Sequence, residues 1–227
     1  CTPSRRVARP YSSPIKFPSV RLSQRASAGL VPPVEIAIVR SPRRITAGAM
    51  NAIELDVPGS DLDGVQYGVD FMKRANLGDP LTVGTDVVVI GGGYTAMDCS
   101  RTSLRHGAER VSIVYRRTRS ELVVDEEELG ETEREGVRME LLASPVELIG
   151  EDGRVSGVRF VRNKLGEPDA SGRRAPVPIP GSEFVIAADT VIPAVSQAAD
   201  LSFLPVEANF EIARGRLKVD PATYATN

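Results

Sequence analysis

The fold is decided by residues 86–115, which read DVVVIGGGYTAMDCSRTSLRHGAERVSIVY. Residues 87–90 are an unbroken β-branched run, which is typical of a parallel strand buried on both faces. Glycines follow at once, and a helix-compatible stretch over residues 95–106 runs to Gly107, a suitable C-terminal cap. Residues 111–115 then predict a second strand. The whole stretch therefore predicts a complete β-α-β unit.

The turn between the strand and the helix carries the pattern G-x-G-x-x-A, from Gly91 to Ala96. Gly91 permits the tight turn, and Gly93 lets the backbone approach a pyrophosphate with no side chain between them. The small Ala96 lets the helix pack closely on the strand, and the first N–H groups of the helix face the phosphates. Because a buried strand precedes the pattern and a helix follows it, we favour a dinucleotide site over a glycine-rich turn that binds no nucleotide.

The end of the second strand indicates which dinucleotide binds. Sites for FAD and NAD usually place Asp or Glu about 20 residues past the glycines. This chain instead has Arg116, Arg117 and Arg119. A guanidinium pairs with a 2′-phosphate through charge-assisted hydrogen bonds, so the arginines favour NADP(H). The alternative is that they are surface charges paired with the acidic residues 125–128.

Further strands extend the predicted sheet. Residues 137–142 fit a third parallel strand that follows an acidic helix over residues 125–135, and residues 189–194 fit a strand that returns to the nucleotide site. Between them, residues 147–161 predict a hairpin and residues 166–181 predict a polar loop rich in Gly and Pro. The predicted fold class is α/β, a Rossmann-like parallel sheet of the two-dinucleotide-binding type with an inserted antiparallel β-meander.

The net charge of −2 over 227 residues is unevenly distributed. Residues 1–45 hold nine Lys or Arg and one acid, which leaves 19 basic and 29 acidic residues in 46–227, a net charge of −10. An acidic domain does not suit a nucleic-acid backbone. We expect a disordered head or a segment foreign to the domain in preference to a nucleic-acid-binding arm or a transit peptide, with one short strand over residues 34–39.

Several classes of site are excluded by composition. The two cysteines, Cys1 and Cys99, form neither a CxxC redox pair nor a Cys-rich zinc or iron–sulfur site, and His106 is the single histidine. We expect Cys99 to be a small core residue rather than a reactive thiol. No apolar run approaches the roughly 18 residues that a membrane helix needs, so no membrane association is expected. The Tyr-x-x-x-Lys pair, the G-x-S-x-G motif and the Walker loop are all missing.

Before the first strand, residues 55–64 are a turn-rich connector, and residues 65–76 predict an amphipathic helix that residues 78–80 stop. The sequence thus divides into four predicted parts. They are a basic head over 1–45, a linker and helix over 46–80, an NADP(H)-binding domain over 81–200, and a further segment over 201–227.

Several motifs that lie apart in the sequence resemble those of one protein family. They are GGGYTAMD (91–98), VYRR (114–117), LGEPDASGR (165–173) and VPIPGS (177–182), with LDVPG (55–59) and LDGV (62–65) before them. Together they resemble the NADPH-binding domain of the glutamate synthase small subunit, a module that also occurs in related FAD-dependent oxidoreductases, including dihydropyrimidine dehydrogenase. The resemblance covers about residues 46–227.

The resemblance implies a cytoplasmic enzyme that binds two dinucleotides. NADPH passes a hydride to FAD, and the electrons continue through iron–sulfur clusters of a flavin domain or partner subunit. The glycine turn would hold the pyrophosphate, the arginines the 2′-phosphate, and the turn over residues 193–197 would lie near the nicotinamide. The expected cofactor-binding residues are Gly91, Gly92, Gly93, Tyr94, Thr95, Ala96, Arg116, Arg117, Arg119, Ala194, Ser196 and Gln197.

Some features depart from the family pattern. Tyr94 stands where the family usually has Asn or Asp, and Ser196 stands where it usually has Gly. The family builds its FAD site from sequence on both sides of the NADPH domain, so we expect the linker at 46–80 to lead in from an FAD domain and 201–227 to begin the return to it. We therefore expect the FAD site outside this chain and no turnover by this chain alone. The alternatives are a non-catalytic NADP(H)-binding module and an inert truncated fragment.

Overall fold

The computed structural model describes residues 49, 51–169, 172–205, 207, 209–213 and 216–226. The predictions for the head and for a strand at 34–39 lie outside the described residues. The elements, in chain order, are β1 (Asn51–Ala52), α1 (Gly68–Leu77), β2 (Asp86–Ile90), α2 (Tyr94–Arg105), β3 (Arg110–Tyr115), α3 (Glu126–Arg134), β4 (Arg138–Leu141), β5 (Ala143–Glu151), β6 (Arg154–Pro168), β7 (Arg174–Ala187), β8 (Thr190–Pro193), β9 (Gln197–Ala198), β10 (Ile212–Ala213) and β11 (Arg216–Leu217).

The centre of the fold is a four-stranded parallel sheet in the order β4-β3-β2-β8. Strand β2 is one of its two interior strands, and Val87, Val88, Val89 and Ile90 are all at most 4% exposed. The β-branched run is therefore buried on both faces, as the sequence predicts. Strand β8 returns beside β2, so the last parallel strand ends next to the turn that follows Ile90. The predicted Rossmann-like sheet is confirmed.

Each face of the parallel sheet has its own core. On one face, Val89 and Ile113 pack with residues of the helices, among them Phe71 of α1 and Met97 of α2. On the other face, alternate sheet residues pack with β5 and β6, where the buried side chains include Leu148, Val158 and Phe160. Burying one such side chain stabilises the fold by about 1.5–3 kcal/mol. Helices therefore hold one face of the sheet and the β-meander holds the other.

The helices lie close to their predicted positions, except that α1 begins later than predicted. Helix α1 begins at Gly68, three residues later than predicted, because Val65 forms a parallel bridge with Val191 and Tyr67 is extended. The helix ends at Leu77, and its C-cap, Gly78, is left-handed with φ of 75°. Helix α2 spans nearly the predicted residues, and the Asp125 side chain caps α3 by accepting a hydrogen bond from the Glu128 backbone. No described helix is long and apolar enough to cross a membrane.

The inserted meander is the three-stranded antiparallel sheet β5-β6-β7. The prediction of a polar loop at 166–181 is wrong, because β6 continues to Pro168 and β7 starts at Arg174. Strand β7 pairs Pro176 with Leu165 of β6. Proline is tolerated there because β7 is an edge strand, and an edge strand has one row of backbone groups that need no partner strand. Gly and Pro content, which is typical of loops, here accompanies an edge strand.

Candidate functional site

A cleft of about 440 Å³ lies at the carboxyl ends of β2, β3 and β8. Ligands of open α/β sheets bind at this edge, where the strand order reverses. Nine of the twelve expected cofactor-binding residues line the cleft. They are Gly91, Gly92, Gly93, Thr95, Arg116, Arg117, Ala194, Ser196 and Gln197. Tyr94, Ala96 and Arg119 do not line it.

The first two glycines of the turn are required by the packing of the protein itself. A Cβ on Gly91 would lie 2.4 Å from the carbonyl oxygen of Ala194, where β8 ends. A Cβ on Gly92 would lie 2.3 Å from the ring of Tyr115 and 2.8 Å from Leu122. No real Cβ makes contacts this short, and the backbone oxygen of Ala194 has no rotamer by which to move away. These glycines therefore let β2 turn into α2 directly beside β3 and β8.

Gly93 differs from its two neighbours. The nearest atom to a Cβ built on it is Cγ2 of Val123, at an ordinary contact distance of 3.7 Å. Its φ of −115° is available to any residue. Neither folding nor packing therefore requires a glycine at this position. The space that a side chain would fill belongs to the cleft, as expected if a ligand approaches the backbone there.

Helix α2 opens toward this space without a protein cap. Its N-cap is Gly93, which offers no side-chain hydrogen bond, and its first turn has no acidic residue. The first N–H groups of a helix have no intrahelical partner, and the helix dipole adds positive potential, so this end suits an anion. Gln197 donates a hydrogen bond to Thr95 Oγ1 over 3.2 Å and ties the segment after β8 to the same turn. Ala96 is fully buried, where a small residue lets α2 pack closely.

Tyr94 points away from the cleft. Its hydroxyl donates a hydrogen bond over 3.0 Å to the carboxylate of Asp125, the N-cap of α3. That bond raises the pKa of Tyr94. The pKa of Asp125 is lowered, first by the backbone N–H of Glu128 and then by the Tyr94 hydroxyl. The larger residue at position 94 is thus accommodated by a contact with α3.

The three arginines have three different environments. Arg116 lines the cleft and is exposed, and within the described part of the chain its guanidinium has no ion-pair or hydrogen-bond partner. Partial burial, and then the positive charges of Arg117 and Arg173, lower its pKa. The guanidinium remains charged at any physiological pH. The cleft therefore has positive potential at the end of β3.

Arg117 also borders the cleft but is only 1% exposed. Its Nη2 contacts the carboxylate of Asp169 at 2.5 Å, and its Nε donates to the backbone carbonyl of Arg174 at 2.6 Å. Arg119 lies outside the cleft and pairs with Glu126 at 3.0 Å and with Glu133 at 2.7 Å. Arg119 therefore pairs with acidic residues, which was the alternative to contact with a 2′-phosphate. Arg117 instead contacts the β-meander.

Sequence reasoning assigned no role to some of the cleft residues. Arg173, in the turn between β6 and β7, lines the cleft beside Arg116. Its place in the LGEPDASGR motif was the available signal. Arg216 of β11 and Ala52 of β1 also line the cleft, and no sequence pattern marked either of them. Tyr115 borders it as well, with its hydroxyl donating to the Glu121 carbonyl at 2.8 Å.

Cys99 lies in the core, as expected from the sequence. It is fully buried, and its thiol donates a weak hydrogen bond to the carbonyl of Gly68 at 3.6 Å. Burial raises the pKa of the thiol to about 12, so the thiolate that would react is not populated at neutral pH. Among the described residues, no group of three His, Cys, Asp or Glu is placed to hold a metal ion.

Comparisons with known proteins agree with this geometry. The family model for pyridine nucleotide-disulphide oxidoreductases matches residues 45–227. The NADP(+)-dependent formate dehydrogenase subunit beta of Moorella thermoacetica is 46% identical over 177 residues, 76% of this chain and 25% of that protein. The glutamate synthase [NADPH] small chain of Azospirillum brasilense is 40% identical over 190 residues, 78% of this chain and 39% of that protein.

The fold also resembles that of a solved structure. Mycobacterium tuberculosis FprA, in complex with NADPH, aligns with a TM-score of 0.55 and 22% identity over 66% of this chain and 49% of that chain. At this identity the likeness concerns the fold alone. The chain spans 25% and 39% of the length of the two curated relatives named above. Both relatives are named as a subunit or small chain of a larger enzyme.

Proposed function

The chain belongs to the pyridine nucleotide-disulphide oxidoreductase family, and from this we propose that residues 81–200 bind NADP(H) and present it to a flavin. NADP(H), when bound, supplies a hydride. The residues of this chain bind and orient the nucleotide, because hydride transfer needs mainly the correct placement of donor and acceptor. Because binding and orienting the nucleotide needs no acid–base catalysis, the absence of a Tyr-x-x-x-Lys pair from the sequence is consistent with this role.

One observation carries the proposal: Gly93 leaves open space in front of the uncapped N-terminus of α2. Gly91 and Gly92 are explained by contacts within the protein, whereas Gly93 is explained by a ligand that needs the room of a side chain. A diphosphate fits this position because backbone N–H groups and the helix dipole both favour negative charge. Residues that line the same cleft, Ser196 and Gln197 among them, would then flank the nicotinamide end.

The positive end of the cleft supports NADP(H) in preference to NAD(H). Arg116 is exposed at the carboxyl end of β3, about where NAD sites hold an acidic residue. A carboxylate there would repel a 2′-phosphate, whereas a guanidinium binds it through charge-assisted hydrogen bonds. The nucleotide would therefore lie with its diphosphate at α2 and its adenosine phosphate at Arg116.

We further propose that FAD and iron–sulfur clusters are supplied by a flavin domain or a partner subunit. Residues 46–80 and 201–227 would connect this domain to the flavin domain. The pairing of β1 with β9 supports this arrangement, because it brings the 46–80 segment to the cleft, where Ala52 and Gln197 both lie. A cytoplasmic location is part of the same proposal and follows from the resemblance to the glutamate synthase small subunit.

The test is a parallel titration of the chain with NADPH, NADH and FAD by calorimetry. The decisive variant is Gly93→Ala, whose new methyl group occupies ligand space without a clash inside the protein. We expect NADPH and NADH affinity to fall by at least about tenfold, which is about 1.4 kcal/mol. The free energy of unfolding should change by less than about 0.5 kcal/mol.

Gly130→Ala is the matched control. Gly130 lies in α3 outside the cleft, and a Cβ on it would meet only Arg134, at 3.7 Å. This variant should bind nucleotides as the original chain does. A chain that binds neither NADPH nor NADH would overturn the proposal and favour the inert fragment. Binding of NADPH with no reduction of a dye after a flavin-binding partner is added would favour a non-catalytic module.

A further inference from the structure

Arg117 is the largest of the fully buried side chains among the described residues. A buried charge is stable only when it is paired and hydrogen-bonded. The partners of Arg117 are the carboxylate of Asp169 at the end of β6 and the carbonyl of Arg174 at the start of β7. Arg117 therefore contacts both sides of the β6–β7 turn and fixes that turn against the end of β3.

The turn is also closed by its own backbone. Asp169 donates its N–H to the carbonyl of Arg173 at 2.8 Å, and Gly172 donates to the carbonyl of Asp169 at 2.9 Å. Gly172 has a φ of 77°, which favours glycine. Arg173 lies between the two residues that Arg117 contacts, and it is half-buried. The side chain of Arg173 lines the cleft together with Arg116.

We propose that the 2′-phosphate of NADP(H) is held between Arg116 of the β3 end and Arg173 of the β6–β7 turn, and that Arg117 is a positioning residue for Arg173. This inference rests on the proposed function of the cleft. It changes the role expected for Arg117, which would act through Asp169 and Arg174 and leave contact with the phosphate to its neighbours. It also gives the β-meander a part in nucleotide specificity.

Two other arginines near the end of β3, Arg117 and Arg119, do not provide the second contact. Arg119 is outside the cleft and is engaged by Glu126 and Glu133. Arg117 already directs two nitrogens to the turn, and its side chain is 2% exposed. Partial burial, and then the positive charges of Arg117 and Arg173, lower the pKa of Arg116, so these guanidinium groups lie close enough to Arg116 to repel it. A phosphate dianion would pair with such charges through charge-assisted hydrogen bonds.

The experiment measures the dissociation constants of NADPH and NADH for the original chain and for Arg173→Ala, Asp169→Asn and the double variant. Arg119→Ala is the matched control, an arginine from the same region that lies outside the cleft. Arg173→Ala should weaken NADPH binding by about tenfold or more, the effect of one charge-assisted contact, with NADH within about twofold. Arg119→Ala should leave both nucleotides unchanged.

The positioning role is tested by coupling between two sites. Asp169→Asn removes the charge that holds Arg117, so it should weaken NADPH binding selectively in the original chain. In the Arg173→Ala background it should have almost no further effect, because the residue that it positions is gone. Equal losses in both backgrounds would overturn the positioning role. Asp169→Asn leaves Arg117 and its bond to Arg174 intact, so the test does not depend on truncating the buried side chain.

The outcomes separate this inference from the proposed function. If the original chain binds neither nucleotide, the function proposed for the cleft has failed. If it prefers NADPH and Arg173→Ala keeps that preference, the function stands and this inference has failed. If only Arg173→Ala and Asp169→Asn lose the preference, and do so in a coupled way, both stand.

Discussion

The two ends of the cleft are built by different physical means. At the glycine turn, the shape is set by backbone contacts between neighbouring elements, such as Gly91 against the carbonyl of Ala194. At the arginine end, the shape is set by ion pairs that join residues far apart in the sequence, such as Arg117 and Asp169, which are 52 residues apart. At the glycine turn, packing permits only one residue type, glycine. At the arginine end, charge alone does not determine which of several arginines faces the cleft.

This difference predicts that the two ends fail in different ways. A change in the glycine turn should affect folding, except at Gly93, where it should affect binding alone. A change at Arg116 or Arg173, at the arginine end, should alter specificity more than it alters the fold, whereas loss of the buried Arg117 should also lower stability.

Gly91→Ala should have the largest effect. Its Cβ would lie 2.4 Å from a backbone oxygen of Ala194, so β2 and β8 would have to separate. We expect a loss of about 3 kcal/mol in the free energy of unfolding, at the upper end of the range for overpacking. Urea denaturation followed by circular dichroism measures it.

Gly93→Ala is the internal control, because the same chemical change two residues away meets only Val123 at 3.7 Å. A similar loss of stability in both variants would mean that the turn is uniformly tight. The contrast between the two glycines would then have no basis.

The parts of the fold that the sequence predicted are those that depend on local burial. The β2-α2-β3 unit was predicted within one residue at each boundary, because a β-branched run and a glycine turn leave few alternatives. The start of α1 and the strands that replace the loop at 166–181 were missed. The start of α1 depends on a partner distant in sequence, Val191 for Val65, which no local pattern reveals. The strands β6 and β7 pair across a short turn, and they were missed because their Gly and Pro content is typical of a loop.

In the candidate site, too, local features could be predicted from the sequence, whereas contacts between separate elements could not. All three glycines were expected in the cleft and line it, since the motif and the turn are one local feature. Among the arginines, the sequence indicated a cluster but not the direction of each side chain. Whether Arg117 or Arg119 reaches the cleft depends on carboxylates at Asp169 and Glu133, which lie on other elements. For the same reason Arg173 received no role.

Arg116→Glu should give the next largest effect and tests the specificity of the arginine end. A carboxylate would replace a favourable contact with repulsion of the 2′-phosphate. We expect NADPH affinity to fall by about 10- to 100-fold, with a much smaller loss for NADH. Fluorescence titration with both nucleotides measures it. Equal losses for the two nucleotides would remove the case for recognition of a 2′-phosphate at this end.

Arg117→Leu compared with Arg119→Leu separates a buried ion pair from an exposed one. The Arg117 side chain is 2% exposed and that of Arg119 is 42% exposed. Loss of Arg117 removes the guanidinium that contacts the Arg174 carbonyl and Asp169, which should lower the free energy of unfolding by about 2 kcal/mol. Loss of Arg119 should lower it by less than about 1 kcal/mol.

Hydrogen exchange shows which part of the fold loses stability when Arg117 is replaced. In Arg117→Leu the backbone amides next to the β6–β7 turn should lose protection, while those of β2 keep it. Loss of protection throughout the parallel sheet would mean that Arg117 belongs to the general core. It would then no longer serve as a local link between β3 and the β-meander.

Tyr94→Phe should have the smallest effect, and it tests whether a polar contact at the glycine turn behaves like those at the arginine end. The folded-state pKa of Asp125 is lowered by the Glu128 N–H and then by the Tyr94 hydroxyl. A lowered carboxyl pKa stabilises the fold above the unfolded-state value, and this stabilisation is lost as the pH falls through the folded value. Removing the hydroxyl should raise the folded pKa of Asp125 toward its unfolded value, so the stabilisation becomes smaller and its loss on acidification is complete at a higher pH. Carbon-detected NMR titration of the Asp125 carboxyl measures the shift. An unchanged pKa of Asp125 would mean that Tyr94 and α3 are independent, and the glycine turn would then be set by backbone packing alone.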